Sequence, residues 1–152
     1  MQISQVDIES IRPLRHQVLR PNQPFDQTLY PGDDTAIHLA AKSANTIIGI
    51  TSLYPNTPMP DAGQPGDMRL RCMAVDPTCQ GKGIGTALIH ATLDHAWRSG
   101  ATRLWANART TALSFYTARG FAQHGDTFDL PDIGPHVIVA IDRPTSPAFA
   151  RS

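Results

Sequence analysis

The chain has 152 residues, with 13 basic and 13 acidic side chains and a formal net charge of +0. That balance argues against a nucleic-acid or membrane-surface partner, because both select for excess cations. At 41% hydrophobic and 17% charged residues, the composition is that of a globular domain large enough to fold without disulfides or a structural metal. The opening MQISQVDIES has neither a basic region nor an apolar run, and no stretch approaches the ~20 apolar residues of a membrane-spanning helix. Cys72 and Cys79 lack a CxxC spacing or a second pair, so no zinc site is expected. A reduced, cytoplasmic protein is the expectation.

In chain order, Met1 to Val6 reads as a strand, and Ile8 to Leu19 carries apolar residues near helical spacing, where Pro13 fits the first turn of a helix capped by Ser10 but would break a longer one. A Pro/Gly/Asn-rich connection, Pro21 to Gly32, leads to a hairpin of Thr35–Lys42 and Thr46–Tyr54 around Ser43-Ala44-Asn45. The segment PNTPMPDAGQPG holds four prolines and reads as an exposed loop before a strand at Met68 to Val75. A helix from Gly83 to Ser99 stops at Gly100. A short strand, Arg103 to Ala106, and a helix, Thr110 to Arg119 closed by Gly120, follow. Phe121 to Leu130 and His136 to Ile141 make a last pair of strands, and residues 144–152 read as a flexible tail. The order is that of an α/β (α+β) domain over 1–143 with a mixed sheet.

The stretch with chemical content is Met73-Ala74-Val75-Asp76-Pro77-Thr78-Cys79-Gln80-Gly81-Lys82-Gly83-Ile84-Gly85-Thr86. A strand runs into a glycine-dense turn that opens into a helix. Bare backbone N–H groups at the positive end of a helix dipole make a seat for phosphate or pyrophosphate, and Lys82 and the Thr86 hydroxyl add to it. The spacing is not that of a P-loop, which needs four residues between its first glycine and a Gly-Lys-Ser/Thr. Nor is it the GxGxxG of a dinucleotide fold.

Gln80-Gly81-Lys82-Gly83-Ile84-Gly85 resembles the Q/R-x-x-G-x-G/A loop of the GNAT N-acetyltransferase superfamily. Ala112-Leu113-Ser114-Phe115-Tyr116-Thr117-Ala118-Arg119-Gly120-Phe121 resembles its second signature, A-x-x-F-Y-x-x-x-G-F. The resemblance covers about residues 1–142 and is strongest over 70–121. It implies the GNAT acyl-CoA N-acyltransferase fold, a mixed sheet splayed at a β-bulge, and acetyl-CoA as cosubstrate with no metal. It places the pyrophosphate on Gln80, Gly81, Lys82, Gly83, Ile84, Gly85 and Thr86. Pantetheine falls on the backbone of Met73 and Val75, with a further contact from Asn107 at a strand end.

By the same resemblance the Met73 N–H polarises the thioester carbonyl, a role worth ~3 kcal/mol for other oxyanion donors. Tyr116 matches the general acid that protonates the leaving thiolate. Asn107 and Met73 also have ordinary readings, as a helix cap and a core strand residue. The general base is open: Glu9 is the only glutamate and sits at a helix start, which leaves His38, His136, Asp129 or water. A lone strand histidine is usually a satisfied core group, so each candidate has that second reading.

Direct transfer is expected, since nothing near Cys72 or Cys79 in the sequence suggests an activated thiol. Arg12, Arg15 and Arg20 gather around the first helix, and Arg69 and Arg71 alternate along the strand before the loop. With His38 and His136, Arg20 and Arg71 are candidates for binding an acceptor that carries an acidic group, for which arginine offers a two-pronged fork. The expectation is a small-molecule primary amine with a carboxylate, such as an amino acid; solvated arginines, or arginines paired with aspartates, are the alternative. A non-catalytic acetyl-CoA sensor and an acetyltransferase of a protein or aminoacyl-tRNA are the other classes. The resemblance also allows a homodimer.

Overall fold

A computed structural model describes residues 1–131 and 133–145. Of the expected tail, residues 146–152 lie outside the described residues, as does Asp132. The chain divides into two compact units, Met1–Pro55 with Leu70–Ala96, and Asn56–Arg69 with the chain from Trp97 on.

The first unit begins with β1 (Gln2–Val6) and α1 (Ile8–Leu14). Asp7, not Ser10, caps this helix: its carboxylate accepts the Ser10 N–H at 2.9 Å and the Ser10 hydroxyl at 2.6 Å. The helical run toward Leu19 is interrupted, as Pro13 leads one to expect. Pro13 lies inside α1, where it has no N–H to return to the preceding turn, and the chain passes into a π-helical turn, Arg15–Leu19. A 3₁₀ turn, Phe25–Thr28, then leads to the hairpin of β2 (Ile37–Ser43) and β3 (Thr46–Tyr54). Ala44 turns that hairpin with φ +55°.

Two faces of β3 are covered by different helices. Ile50 packs with Ile11 and Leu14 of α1. On the other side a Cβ on Gly49 would stand 2.9 Å from both Ile84 and Leu88, so α2 (Ile84–Arg98) approaches β3 closely there. A bulge opposite Ala41/Lys42 interrupts the register.

β4 (Met68–Val75) carries a second irregularity. Ala74 packs with α1, whereas Met73 and Val75 pack with Ile84 and Leu88 of α2. Arg71 stands over Tyr30 at 4.3 Å, and Tyr30 also faces Arg15, which follows α1. Arg71 and Ala74 therefore face the same side although three positions apart, which a regular strand of period two forbids. Cys72, between them, has φ +65°. This is the expected bulge, and it re-aims Arg71.

The second unit holds β5 (Arg103–Arg109), α3 (Leu113–Thr117), β6 (Ala122–Leu130) and β7 (Gly134–Asp142). β5 outruns its expected end at Ala106 because it stays in register with β7 from Arg103↔Asp142 to Arg109↔His136. Its parallel ladder with β4 spans two pairs, Met68↔Leu104 and Arg69↔Trp105. The helix expected over Thr110–Arg119 is a 3₁₀ turn followed by the five residues of α3. The proline-rich segment is not wholly exposed. Asp67, 1% accessible, accepts the N–H groups of Met59 and Gln64 at 3.0 Å each, and the Trp105 indole donates to the Thr57 carbonyl at 2.7 Å.

The hydrogen-bonded strand order is β1-β2-β3-β4-β5-β7-β6, a seven-stranded mixed sheet with flanking helices. No helix among the described residues is long and apolar enough to cross a membrane.

Candidate functional site

Asp76 starts the turn after β4. Its N–H donates to the Ile48 carbonyl at 2.8 Å, and its carboxylate accepts from Thr78 N–H and hydroxyl at 2.9 and 2.8 Å. These bonds hold that carboxyl below the usual carboxylate range. Gly81 and Gly83 follow with φ +80° and +79°, the left-handed region that favours glycine. A Cβ on either would meet nothing within 4 Å, so the turn faces open space. Gln80, Gly81, Lys82 and Gly83 are exposed, Gly85 and Thr86 half-buried, and Ile84 is buried beneath β3. The Ala87 N–H bonds the Gly83 carbonyl at 3.0 Å, which marks where helical pairing begins. The leading N–H groups of such a helix have no partner within it, which suits an anion.

Cys72 sits among Arg15, Arg71, Arg20 and Asp33, and burial pushes its thiol up despite the three guanidiniums. A protonated thiol is a poor nucleophile. Met73 and Val75 follow on the α2 side.

In the second unit Tyr116 is 7% accessible and meets Phe115 and Phe121 edge-on, with ring centroids at 5.3 Å in both pairs. Burial pushes its phenol up to about 12. Its hydroxyl has no hydrogen-bond partner among the described residues. Asn107 is not at a strand end but inside β5, in register with Ile138, and its Oδ1 is sealed from solvent without a partner among the described residues.

The residues expected around the acceptor separate into distinct roles. Glu9 pairs with Arg12 at 3.0 Å on the surface. Arg12 further donates to Thr28 and stands over Phe25. Arg15 is fully buried. It forks onto Asp33 and donates to Ser52 and Tyr54 at 3.0 and 3.2 Å. Arg15 falls four residues after Ile11 on the apolar stripe of α1, the one sequence signal that it would be buried.

His38 joins this network with both ring nitrogens occupied, Nδ1 by the Ser52 hydroxyl at 2.7 Å and Nε2 by the Asp33 carbonyl at 2.9 Å. A carbonyl only accepts, so Nε2 carries the proton and Nδ1 accepts from Ser52. No lone pair is left on the ring, and His38 is not placed to act as a base or to receive an acceptor. Asp129 lies exposed on β6 opposite Pro135.

Arg20 and Arg71 are different. Arg20 donates to the Leu19 carbonyl at 2.8 Å, and Arg71 stacks on Tyr30; neither has a carboxylate partner among the described residues. Tyr30, which carries no motif in the sequence, thus stands with two guanidiniums, those of Arg15 and Arg71, over its ring. Arg69 stacks on Trp105 in the second unit. His136, also in the second unit, is 5% accessible and bonds the Gly134 carbonyl through Nδ1 at 2.8 Å.

The model of the acetyltransferase (GNAT) family matches residues 6–121. The chain belongs to the GNAT acetyltransferase family. It is 29% identical over 141 residues to the uncharacterized N-acetyltransferase YitI of Bacillus subtilis (strain 168), covering 91% of this chain and 94% of that protein. Among solved structures, an acyl-CoA N-acyltransferase from Pseudomonas aeruginosa superposes with a TM-score of 0.75 at 18% identity, covering 93% of this chain and 99% of that one. A GNAT family acetyltransferase from Elizabethkingia anophelis with acetyl-CoA bound gives 0.70 at 17%, over 93% and 97%. At these identities the two structures speak to the fold.

Membership in the GNAT family makes this chain an acetyltransferase with acetyl-CoA as its cosubstrate. The open glycine turn fits that cosubstrate, since a pyrophosphate needs unobstructed backbone N–H groups. Among the described residues no cluster of side chains is arranged to hold a metal ion.

Proposed function

We propose that this acetyltransferase moves the acetyl group directly from acetyl-CoA to the primary amine of a small molecule that carries a carboxylate. The observation that carries the acceptor class is the charge balance around Tyr30. Arg15 is neutralised by Asp33, while Arg20 and Arg71 lack a carboxylate partner among the described residues. The nearby Cys72 thiol and Tyr30 phenol are both pushed up by burial and stay neutral. An acidic group on the acceptor supplies the missing charge, and a guanidinium binds it through two parallel bonds.

In this reading the Gln80–Thr86 turn holds the pyrophosphate, with Lys82 as an exposed point charge. Met73 and Val75 bond pantetheine through their backbone, and the Asn107 Oδ1 accepts one of its amide protons. The amine nitrogen attacks the thioester carbon, whose oxygen takes up charge toward the Met73 N–H. The C–S bond then breaks, and the thiolate takes the Tyr116 proton. The raised thiol of Cys72 supports a route with no acyl-cysteine.

The test is release of free CoA thiol from acetyl-CoA with a panel of amines, each paired with its analogue lacking the carboxylate. Turnover of the carboxylated member is expected. Arg71→Ala should raise its KM about tenfold or more, the worth of one charged hydrogen bond, and leave its analogue unchanged. Binding of acetyl-CoA with no turnover of any free amine would replace this reading with a sensor. Turnover restricted to polypeptides or charged tRNA would replace the acceptor class.

A further inference from the structure

The β5–β7 pair points to His136 as the general base, and we propose that its Nε2 takes the proton of the acceptor amine. The inference rests on direct acetyl transfer as read above. Nδ1 of His136 lies 2.8 Å from the carbonyl oxygen of Gly134, two residues earlier on the same strand. A carbonyl oxygen has no proton to give, so Nδ1 of the neutral ring must be the N–H and Nε2 must bear the lone pair. A backbone acceptor that fixes the tautomer in this way is the usual device for orienting a working imidazole.

Nε2 has no hydrogen-bond partner among the described residues, and it is not one of the polar atoms sealed from solvent. The ring as a whole is 5% accessible and lies against Phe128, with centroids 6.2 Å apart. The ring is thus locked at one nitrogen and open at the other. His38 has neither nitrogen free. His16 shares half of the pattern, since its Nε2 reaches the Gln23 carbonyl at 2.8 Å, but it packs on the exposed Phe25 at the surface.

Strand register places the ring. His136 pairs with Arg109 at the C-terminal end of β5, and Asn107, two residues back on that strand, lies on the same face. The opposite face of β7 carries Ile141, which Gly120, three residues beyond α3, approaches: a Cβ on that glycine would stand 3.3 Å from it. Tyr116, on α3, therefore belongs to one side of the β5–β7 pair and His136 to the other. That division matches the reaction, in which one group must give a proton to the departing sulfur and another must take one from the incoming nitrogen. The protons and electrons balance: one ammonium proton passes to Nε2, the freed nitrogen lone pair forms the new C–N bond, and the C–S electrons leave on sulfur, which takes the Tyr116 proton. The second nitrogen proton, lost as the amide forms, returns through water to the Tyr116 phenolate, and the proton on Nε2 leaves to solvent.

Two variants separate base from scaffold. His136→Asn keeps an N–H where Nδ1 donates to Gly134 but has nothing at Nε2. We expect its kcat to fall about 100-fold or more, the usual worth of a positioned base, with acetyl-CoA binding by calorimetry and melting temperature unchanged. His136→Ala should lose at least as much and regain turnover when free imidazole is added. A His136→Asn enzyme within threefold of the parent kcat would overturn the assignment, and so would loss of kcat in His136→Ala that imidazole does not restore. A parent protein that acetylates no amine would overturn the functional reading first and this one with it.

Discussion

Arg15 and Asp33 meet as a two-point ion pair, Nη1 to Oδ2 at 2.7 Å and Nη2 to Oδ1 at 3.0 Å, with both side chains buried. The pair closes the connection between α1 and β2 like a clasp, because Asp33 also accepts the Tyr30 N–H and Arg15 donates to the Thr28 carbonyl at 2.8 Å. Tyr30 is held by this clasp where Arg71 can stack on it. Breaking one partner strands a buried charge. Asp33→Asn should therefore destabilise the protein by about 3–5 kcal/mol, read from urea unfolding, and raise the KM of the acceptor more than that of acetyl-CoA.

The same carboxylate sets an acid limit. Burial pushes Asp33 up, but hydrogen bonds from Arg15, Tyr54 and the Tyr30 N–H outweigh it, and the net shift is below its ordinary 3.8. A carboxyl depressed in the folded state stabilises it above the unfolded value, and that stabilisation disappears as pH falls through the folded one. Stability should thus drop below about pH 4. Asp33→Asn, already lacking this contribution, should show a shallower slope there in chemical unfolding at a series of pH values.

Tyr116→Phe isolates the acid. The hydroxyl bonds nothing among the described residues, so the melting temperature should move by less than a few degrees. The kcat should fall about 100-fold with the KM for acetyl-CoA nearly constant. Because burial lifts the phenol to about 12, it remains a proton donor in the alkaline range where ordinary tyrosines ionise. Undiminished turnover in this variant would remove Tyr116 from the mechanism.

Gly49 governs how closely α2 sits on β3. A methyl there would lie 2.9 Å from Ile84 and Leu88, and Ile84 is the residue at which the glycine turn becomes helix. Gly49→Ala should cost about 1–3 kcal/mol, typical of overpacking, and weaken acetyl-CoA binding several-fold in calorimetry by shifting the turn. Gly100→Ala is the control. It strains φ +89° but meets nothing within 4 Å, so it should lower stability by about 1–2 kcal/mol with acetyl-CoA affinity unchanged.

Cys72→Ser tests direct transfer. A thiol pushed up from its ordinary value should be dispensable, and the variant should retain kcat within about threefold, far less than the loss of an activated nucleophile. Mass spectrometry of the parent enzyme after rapid mixing with acetyl-CoA alone should find no acetyl adduct on this residue. An adduct that forms and decays at the turnover rate would refute the direct route.

Local chemistry was legible in the sequence where neighbours along the chain decide the outcome. The strand at Met68–Val75, the glycine turn, the helix behind it and the Phe115-Tyr116 pair lie within short windows, and backbone freedom at Gly81 and Gly83 needs no distant partner. Elements whose limits depend on pairing were misread. β5 continues to Arg109 because β7, some thirty residues later, supplies the partners, and Asn107 moved into the strand with it. The cap of α1 went to Asp7 because the side chain one position ahead of the helix reaches forward to the Ser10 N–H. Composition told that arginine would carry the cationic work, with two lysines against eleven arginines, but not which arginines are free to do it. Tertiary structure alone decided that: Asp33 comes from eighteen residues away to neutralise Arg15, and the bulge at Cys72 turns Arg71 toward Tyr30. The histidines were decided in the same way, because a ring's proton is placed by whatever acceptor the fold sets beside it. Gly134 and Ser52 made one imidazole open and the other closed.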